Sequence, residues 1–201
     1  MSHNLKPLPK NLVLASSSPY RKQLFSRLRL PFESRTPAVP ELPRRGESRS
    51  ALAYRLSVEK AQAVAKASDP DTLYIGSDQV ATCARQLLGK PGTLDKAQAQ
   101  LQLCSGQQVT FYTGFALWRP TSHFLHGQVV TTTVTLRRLS DSAIARYLQS
   151  DSPFDCAGSF KWESLGISLF ESLASEDPTA LEGLPLIGLC TALRAQGYAL
   201  P

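Results

Sequence analysis

The amino-acid sequence predicts an α/β fold built on a mixed, twisted β-sheet. Strand-like and helix-like segments alternate early in the chain, and a β-rich region follows in the middle. The chain has 201 residues, of which 42% are hydrophobic and 19% charged. This is the composition of an ordinary globular protein that can bury a sizeable core without a disulfide or a metal to stabilise it.

The first elements are predicted from their apolar runs and their capping residues. Residues 11–15 form a short apolar strand that leads into a serine-rich turn. Ser18 is suited to be the N-cap of a helix and Pro19 its first residue. Leucines at i, i+4 spacing extend this helix to about Leu30, and residues 32–35 form a second strand.

A proline-rich loop over residues 37–49 separates these elements from the rest of the sheet. The alanine- and leucine-rich stretch 50–67 is typical of a helix. Residues 72–75 read as a buried strand that ends at Gly76, Ser77 and Asp78.

The second half continues with helices marked by their end signals and with two long strands. Thr93 begins a helix that Gly106 ends. Residues 108–117 and 129–136 are predicted to be strands joined by a polar connection. Two further helices are predicted over residues 140–149 and 185–197.

Positive charge is concentrated in the first third of the chain. The net charge is +6, yet residues 1–60 alone contain twelve Lys or Arg and four Asp or Glu, a net charge of +8. These basic residues are scattered singly, a pattern that favours a small polyphosphate over a nucleic-acid duplex. A solvated basic face is the alternative.

Cysteines and histidines form no zinc pattern. No CxxC pair is present, and Cys104 and Cys190 each follow a leucine, so we expect small buried thiols. His123 and His126 fall in the polar stretch 119–127, where we expect a solvated hairpin tip. The first ten residues have no apolar signal core and no apolar run approaches about 20 residues, so we predict a cytoplasmic protein with no membrane partner.

Three sets of residues carry groups suited to phosphate chemistry. Ser16 and Arg21 flank the predicted start of the first helix, where unpaired N–H groups attract anions, although a serine-rich N-cap can also be purely structural. Asp78 could hold a metal or orient a water for attack on phosphorus, although it could equally be a turn residue. Lys60 on the long helix and Lys90 between Gly and Pro could neutralise phosphate charge, although exposed helical lysines usually have no such role.

A fourth candidate, the segment of residues 155–163, combines small residues, aromatic rings and charges, as expected of backbone that packs closely against a ligand. Glu163 could accept hydrogen bonds from the N1–H and amino groups of guanine, a donor pair that adenine lacks. A surface carboxylate beside Lys161 is the alternative.

Taken together and in order, these motifs resemble the Maf family of nucleotide pyrophosphatases. They are Leu-Ala-Ser-Ser-Ser-Pro-Tyr-Arg at residues 14–21, Glu41, Glu59-Lys60, Gly-Ser-Asp-Gln at 76–79, Gly-Lys-Pro at 89–91 and Ala-Gly-Ser-Phe-Lys at 157–161. The resemblance covers residues 10 to 197. It implies a single domain over residues 10–201, with residues 1–9 as an N-terminal extension.

The resemblance also implies a fold related to inosine triphosphate pyrophosphatases, with helices in two lobes around a central cleft. Asp78 would be the proton acceptor that activates water. Glu41 and Asp78 would lie at a divalent metal cation (Mg, Mn or Co). The phosphate-binding residues would be Ser16, Arg21, Lys60 and Lys90.

Within the family, the sequence is similar to the subgroup that acts on 7-methyl-GTP, because it has Ser-Asp-Gln and Lys-Trp-Glu where dTTP- and UTP-cleaving members have Ser-Asp-Thr and Lys-Ile-Gln-Gly. The specificity residues would then be Tyr20, Gln79 and Glu163. An aromatic ring at Tyr20 would attract the positive charge of 7-methylguanine. Two departures are Pro40, where an acidic residue is usual, and Tyr20 itself, where we expect Trp.

Two alternatives remain open at this point. The chain could prefer dTTP, UTP or other modified nucleotides, or it could act as a nucleotide-binding inhibitor of septum formation, a role also associated with the family. Nucleic acid is not expected as a partner, because the sequence has no groove-reading motif and no aromatic residues interleaved with basic ones. A homodimer is expected from the resemblance and from the frequency of two-fold assemblies.

Overall fold

A computed structural model describes residues 11–201, so the predicted N-terminal extension, residues 1–9, lies outside the described residues. The strands are β1 (Asn11–Ala15), β2 (Glu33–Arg35), β3 (Thr72–Cys83), β4 (Gln86–Leu88), β5 (Gln108–Arg119), β6 (Phe124–Leu136) and β7 (Phe170–Ser175). The helices are α1 (Pro19–Ser26), α2 (Arg49–Ala63), α3 (Leu94–Cys104), α4 (Asp141–Asp151) and α5 (Leu186–Ala195). Three short 3-10 helices lie at Pro120–Ser122, Leu165–Leu169 and Pro178–Glu182.

The predicted mixed sheet is confirmed. The strands lie in the order β2-β1-β3-β5-β6-β7, and β4 pairs with the far end of β3. β1 pairs with β2 and β3 in parallel, whereas all other pairs are antiparallel.

β3 positions the functional residues because it extends beyond the end of its parallel neighbour β1. β1 ends where Ala15 faces Gly76, and β4 joins the same edge of β3 only at Ala81. Between these points no strand of residues 11–201 pairs with residues 77–80 on that side, while β5 still pairs with them on the other. The edge of the sheet therefore opens there, and Asp78 lies in the opening.

The helices fall into the two lobes that the family resemblance implies. One apolar core packs α1 and α5 against β1 and the first half of β3, with Phe25, Phe115 and Leu189 at its centre. The other packs α3 and α4 against the second half of β3, around Phe111 and Phe160. The rings of these two phenylalanines meet edge to face, with centroids 5.6 Å apart.

Several predicted boundaries are wrong. α1 ends at Ser26 and not near Leu30, because the chain turns through a left-handed conformation at Arg29 (φ 55°). α2 ends at Ala63, four residues early, and β3 continues through the predicted turn at residues 76–78. β4 and β7 are not predicted from the sequence because both strands are short and at least half of the residues in each are exposed.

The cysteine and histidine predictions are confirmed in part. Cys104 is buried, but Cys190 is only half-buried because it lies on the exposed face of α5 beside Ile187. His123 and His126 are exposed, although His126 belongs to β6 because the connection between the strands is shorter than predicted. Among residues 11–201 no helix has the length and apolar character needed to cross a membrane.

A polar cluster fastens β2 to the end of α2. Arg35 lies 2.5 Å from Asp69 and also donates to Glu33, and the Tyr74 hydroxyl donates to the same Asp69 oxygen. The hydrogen bonds from Arg35 and then Tyr74 hold the pKa of Asp69 well below its usual range. A carboxyl with a lowered folded-state pKa stabilises the fold above its unfolded pKa, and that stabilisation is lost as the pH falls.

We therefore expect Asp69→Asn to lower the melting temperature at pH 7, and the difference from wild type to shrink as the pH falls below the ordinary aspartate pKa of 3.8. Thermal denaturation followed by circular dichroism between pH 7 and pH 3 measures this. Glu171→Gln, which changes an exposed carboxylate of β7, is the control and should keep the wild-type profile. A difference for Asp69→Asn that stays constant across this range would contradict the prediction.

Candidate active site

A cleft with a volume of about 250 Å³ opens between the two lobes at the gap in the sheet. All but one of the predicted functional side chains line it: Tyr20, Arg21, Glu41, Lys60, Asp78, Gln79, Lys90 and Glu163. The exception is Ser16, which is buried at the end of β1, with its hydroxyl accepting a hydrogen bond from the Ser18 amide. Ser17 and Ser18 line the cleft in its place.

A lysine between two carboxylates forms the centre of the cleft. The ammonium of Lys60 lies 2.5 Å from an oxygen of Asp78 and 2.5 Å from an oxygen of Glu41. Lys60 and Asp78 are buried, whereas the Glu41 side chain is 60% exposed at the cleft mouth. Lys60 has three N–H donors, so one remains for a ligand.

Helix α2 fixes this centre from below. The Ser57 hydroxyl donates to the carbonyl of Ala53 and accepts the backbone N–H of Asp78 at 3.0 Å. Ser57 precedes Lys60 by three residues, so one face of α2 holds both the backbone and the side chain of Asp78. The position of the carboxylate therefore depends on how closely α2 packs on β3.

The two carboxyls differ in acidity because they differ in burial. Burial raises the pKa of Asp78 and outweighs the opposing charges of Lys60 and Arg21. At Glu41 burial also opposes ionisation, but Lys60, Arg21 and Lys90 together hold its pKa below the usual range. Asp78 is thus the stronger base of the pair, as a group that takes a proton from water should be.

Arg21 connects the first turn of α1 to the opposite wall. Its Nε donates to the carbonyl of Gly183 at 2.8 Å, and among the three guanidinium nitrogens Nε alone forms a hydrogen bond within the described chain. Burial lowers the pKa of Arg21, while Asp78 and Glu41 oppose this. An arginine retains its charge through such shifts, so the outer guanidinium nitrogens can meet an anion beside the N-terminus of α1.

Lys90 completes the basic end of the cleft. It is exposed in the loop after β4, where Gln100 of α3 donates to the carbonyl of the preceding Gly89 at 3.0 Å. Its charge reaches Glu41 across the cleft and lowers the pKa of that carboxyl. Three cations and two carboxylates therefore share one end of the cleft.

The other end of the cleft is aromatic and acidic. Tyr20 is half-buried, and its hydroxyl donates to Asp155 at 3.2 Å, which links α1 to the loop after α4. Burial raises the pKa of Tyr20, and Cys156 and Asp155 reinforce the shift, so the phenol stays protonated. Glu163 is exposed on the same loop.

Gln79 contacts protein backbone and not only the cleft. Its amide nitrogen donates to the carbonyls of Ala180 and Leu181 at 2.9 and 3.1 Å, and to the hydroxyl of Thr113 at 3.0 Å. Since carbonyls accept only, these partners fix the orientation of the amide group. Gln79 therefore holds the 3-10 helix Pro178–Glu182 against the sheet.

The segment that this glutamine holds is absent from the site residues predicted from the sequence. Leu181, Glu182 and Gly183 line the cleft, yet no motif in the sequence marks them. The signal that could have revealed them is Gly183, which adopts a left-handed backbone (φ 103°) and where an added Cβ would lie only 3.1 Å from Nε of Arg21. Cys156 also lines the cleft, and burial followed by Asp155 raises its pKa to about 12, so the thiol is protonated near neutral pH.

The donor set suits a cation that shares its ligands with a phosphate. Residues 11–201 contain no group of three His, Cys, Asp or Glu that could hold a metal alone. Glu41 and Asp78, however, both reach the same ammonium of Lys60 and so can approach one ion. Two carboxylates completed by water and phosphate oxygens are the usual protein contribution to a magnesium site.

Comparison with known proteins supports the resemblance seen in the sequence. The family described as Maf-like protein matches residues 11–196. A protein of Pseudomonas aeruginosa named 7-methyl-GTP pyrophosphatase is 50% identical over 191 residues, 95% of this chain and 99% of its own. Proteins of the same name from Xanthomonas oryzae pv. oryzae (53% identical; 94% of this chain, 98% of its own) and a Polaromonas species (49%; 98% and 89%) match similarly. The chain is therefore a member of the Maf family.

Proposed function

We propose that this chain is a hydrolase that cleaves 7-methyl-GTP into 7-methyl-GMP and diphosphate. The observation that carries the proposal is the division of the cleft into two ends. One has a buried, basic aspartate among three cations, and the other has an aromatic ring among carboxylates. A triphosphate and a cationic base match these two ends, and the relatives named for this activity extend over nearly the whole chain.

In the proposed reaction Asp78 accepts a proton from a water molecule as the oxygen of that water attacks the α-phosphorus. The bond from that phosphorus to the oxygen bridging it to the β-phosphorus breaks, and diphosphate leaves with the bridging oxygen. Arg21, Lys60 and Lys90 bind the phosphate oxygens and reduce the repulsion between the phosphates and the attacking oxygen. Ser16 acts indirectly, by holding the Ser18 amide at the start of α1.

We further propose that a divalent cation (Mg, Mn or Co) is held by Glu41 and Asp78. When bound, such an ion polarises the phosphate oxygens and offsets their charge. The two carboxylates would then both bind the ion while they remain paired with Lys60. Before the ion binds, the Lys60 ammonium holds the two carboxylates close together.

At the base end, Tyr20 would stack on the purine and attract its positive charge by about 0.5–2 kcal/mol. Glu163 would accept hydrogen bonds from N1–H and the amino group of guanine. Gln79 would shape this end by fixing the Pro178–Glu182 segment.

The proposal is tested by diphosphate release from 7-methyl-GTP, GTP, dTTP, UTP, CTP and ATP, each with and without added Mg, Mn or Co. Preference for 7-methyl-GTP supports the substrate assignment, and dependence on the added ion supports the metal site. Preference for dTTP or UTP would keep the reaction and discard the assigned base. Binding without any diphosphate release would favour an interaction role such as inhibition of septum formation.

We expect Glu163→Gln to lower kcat/KM for 7-methyl-GTP and for GTP by about tenfold, because a pair of hydrogen bonds to one base contributes about 1–3 kcal/mol and this carboxylate is exposed. UTP lacks the guanine donor pair, so its slower turnover should be unchanged. Steady-state kinetics with the three substrates provide the measurement, with Glu171→Gln as the control. Equal losses for all three substrates would remove Glu163 from base recognition.

A cytoplasmic location and a homodimer stay predictions, as does the absence of a nucleic-acid or membrane partner. Size-exclusion chromatography with light scattering would give the number of copies.

A further inference from the structure

Glu182 is a carboxylate at the base end of the cleft that takes no part in the proposed hydrogen bonds to guanine. Glu182 lines the cleft together with Glu163 and Asp155. Its side chain is only 9% exposed, in contrast to Asp155, which is 56% exposed. Glu182 is therefore the most buried of the three carboxylates, and a charge near it is the least screened by water.

The charge of Glu182 is only partly neutralised by the protein. Its Oε2 accepts a hydrogen bond from Arg27 at 3.0 Å, and Arg27 is itself 50% exposed. Among the described residues no hydrogen bond is made to the second oxygen, Oε1. Burial and the nearby Glu163 both raise the pKa of Glu182, while Arg27 opposes them, which places the two carboxyls within electrostatic range of one another.

The backbone that carries Glu182 is held from several sides. Thr113 donates to the carbonyl of Ala180 and Gln79 donates to those of Ala180 and Leu181. On the other side of Glu182, the carbonyl of Gly183 accepts from both Ser77 and Arg21. A carboxylate on such a segment loses little entropy when a ligand arrives, because its backbone is already in place.

The proposed substrate differs from GTP in charge. Methylation at N7 places a positive charge on the imidazole ring of guanine and leaves the N1–H and amino groups in place. A residue that reads those edge groups, as proposed for Glu163, recognises both bases. A negative group in a poorly solvated position distinguishes the cation from the neutral base.

We propose that Glu182 is a specificity-determining residue that selects the cationic 7-methylguanine ring over guanine, with Arg27 limiting the strength of that selection. The inference rests on the proposed function, because it assumes that the nucleotide base occupies the end of the cleft lined by Tyr20 and Glu163. Glu182 would act by charge alone, without a hydrogen bond to the base.

Calorimetric titration with 7-methyl-GMP and with GMP tests this without relying on turnover. In Glu182→Gln the preference for the methylated nucleotide should fall by roughly three- to tenfold, while the affinity for GMP changes by less than about twofold. Arg27→Gln removes the positive charge that offsets Glu182 and should raise the preference. A general loss of structure cannot change the preference in opposite directions in Glu182→Gln and Arg27→Gln.

Two further variants complete the experiment. Glu163→Gln should weaken both nucleotides alike, and Glu171→Gln, outside the cleft, should change neither. Equal weakening of both nucleotides in Glu182→Gln, an unchanged preference, or the same direction of change in Arg27→Gln would each overturn the assignment. If the wild type releases diphosphate from 7-methyl-GTP but Glu182→Gln keeps the wild-type preference for the methylated nucleotide, only this inference fails. Absence of diphosphate release under all conditions refutes the proposed function.

Discussion

Replacement of Asp78 by Asn should lower kcat for diphosphate release from 7-methyl-GTP by about 10²–10⁴-fold, the contribution expected of a positioned general base. The change retains the shape of the side chain and the backbone bond to Ser57. It removes the charge that faces Lys60 at 2.5 Å and the group that accepts the proton. Initial rates at saturating substrate and metal, measured for both proteins, give the ratio.

The pH profile separates loss of a base from loss of structure. Burial raises the pKa of Asp78 above its ordinary value of 3.8, so the wild-type rate should fall as the pH decreases through this raised pKa and the carboxylate takes up a proton. The residual rate of Asp78→Asn should lack that acidic limb. A variant with wild-type kcat, or one that keeps the limb, would remove Asp78 from the proton-transfer step.

Stability provides the control for the same variant. Asp78 is buried beside a partner of opposite charge, Lys60, and removal of one partner of such a pair leaves the other charge without compensation. Here Lys60 keeps Glu41 at 2.5 Å, so Asp78→Asn should still fold. A cooperative thermal transition and retained nucleotide binding would assign the lost rate to chemistry.

Local signals predicted the fold well where an element carries its own start and stop. Ser18 is the N-cap that the sequence predicts, and Thr93 and Ser140 cap the helices predicted to begin there, since a serine or threonine that accepts an N–H three residues later is a local feature. The extent of β3 was not predictable in this way. Gly76 and Asp78 are typical of turns, yet pairing with β5 carries the strand through them to Cys83.

The site was predicted where the chemistry of a side chain is visible in a motif, and missed where backbone contacts place it. Asp78, Lys60 and Arg21 combine charge with family motifs, and the structure brings them to one cleft. Glu182 follows an apolar stretch and carries no motif. It reaches the cleft through hydrogen bonds from Gln79 to backbone carbonyls, which are contacts that leave no pattern in a single sequence.

The close approach of α2 to β3 connects the stability of the fold to the geometry of the site. A Cβ at Gly76 would lie 2.0 Å from the carbonyl oxygen of Ser57 and 2.7 Å from the backbone nitrogen of Ala61. Both are backbone atoms of α2, so a change of rotamer cannot relieve the contact, and the whole helix must move away from the sheet.

We therefore expect Gly76→Ala to destabilise the protein by at least about 3 kcal/mol, the upper part of the range for overpacking, and to lower the melting temperature by about 6–12 °C. Thermal denaturation measures this. Gly89→Ala is the matched control, because a Cβ there has no atom within 4 Å, and its melting temperature should stay within about 1 °C of wild type.

Gly76→Ala should also lose activity at temperatures where it is still folded. α2 carries Lys60, and its Ser57 binds the Asp78 backbone, so a displaced helix moves the cation and the base relative to one another. Misplacement of about 1 Å can reduce a rate by about 10²-fold. Wild-type kcat in a destabilised Gly76→Ala protein would show that the Asp78–Lys60 geometry tolerates movement of α2, and wild-type stability would contradict the close packing itself.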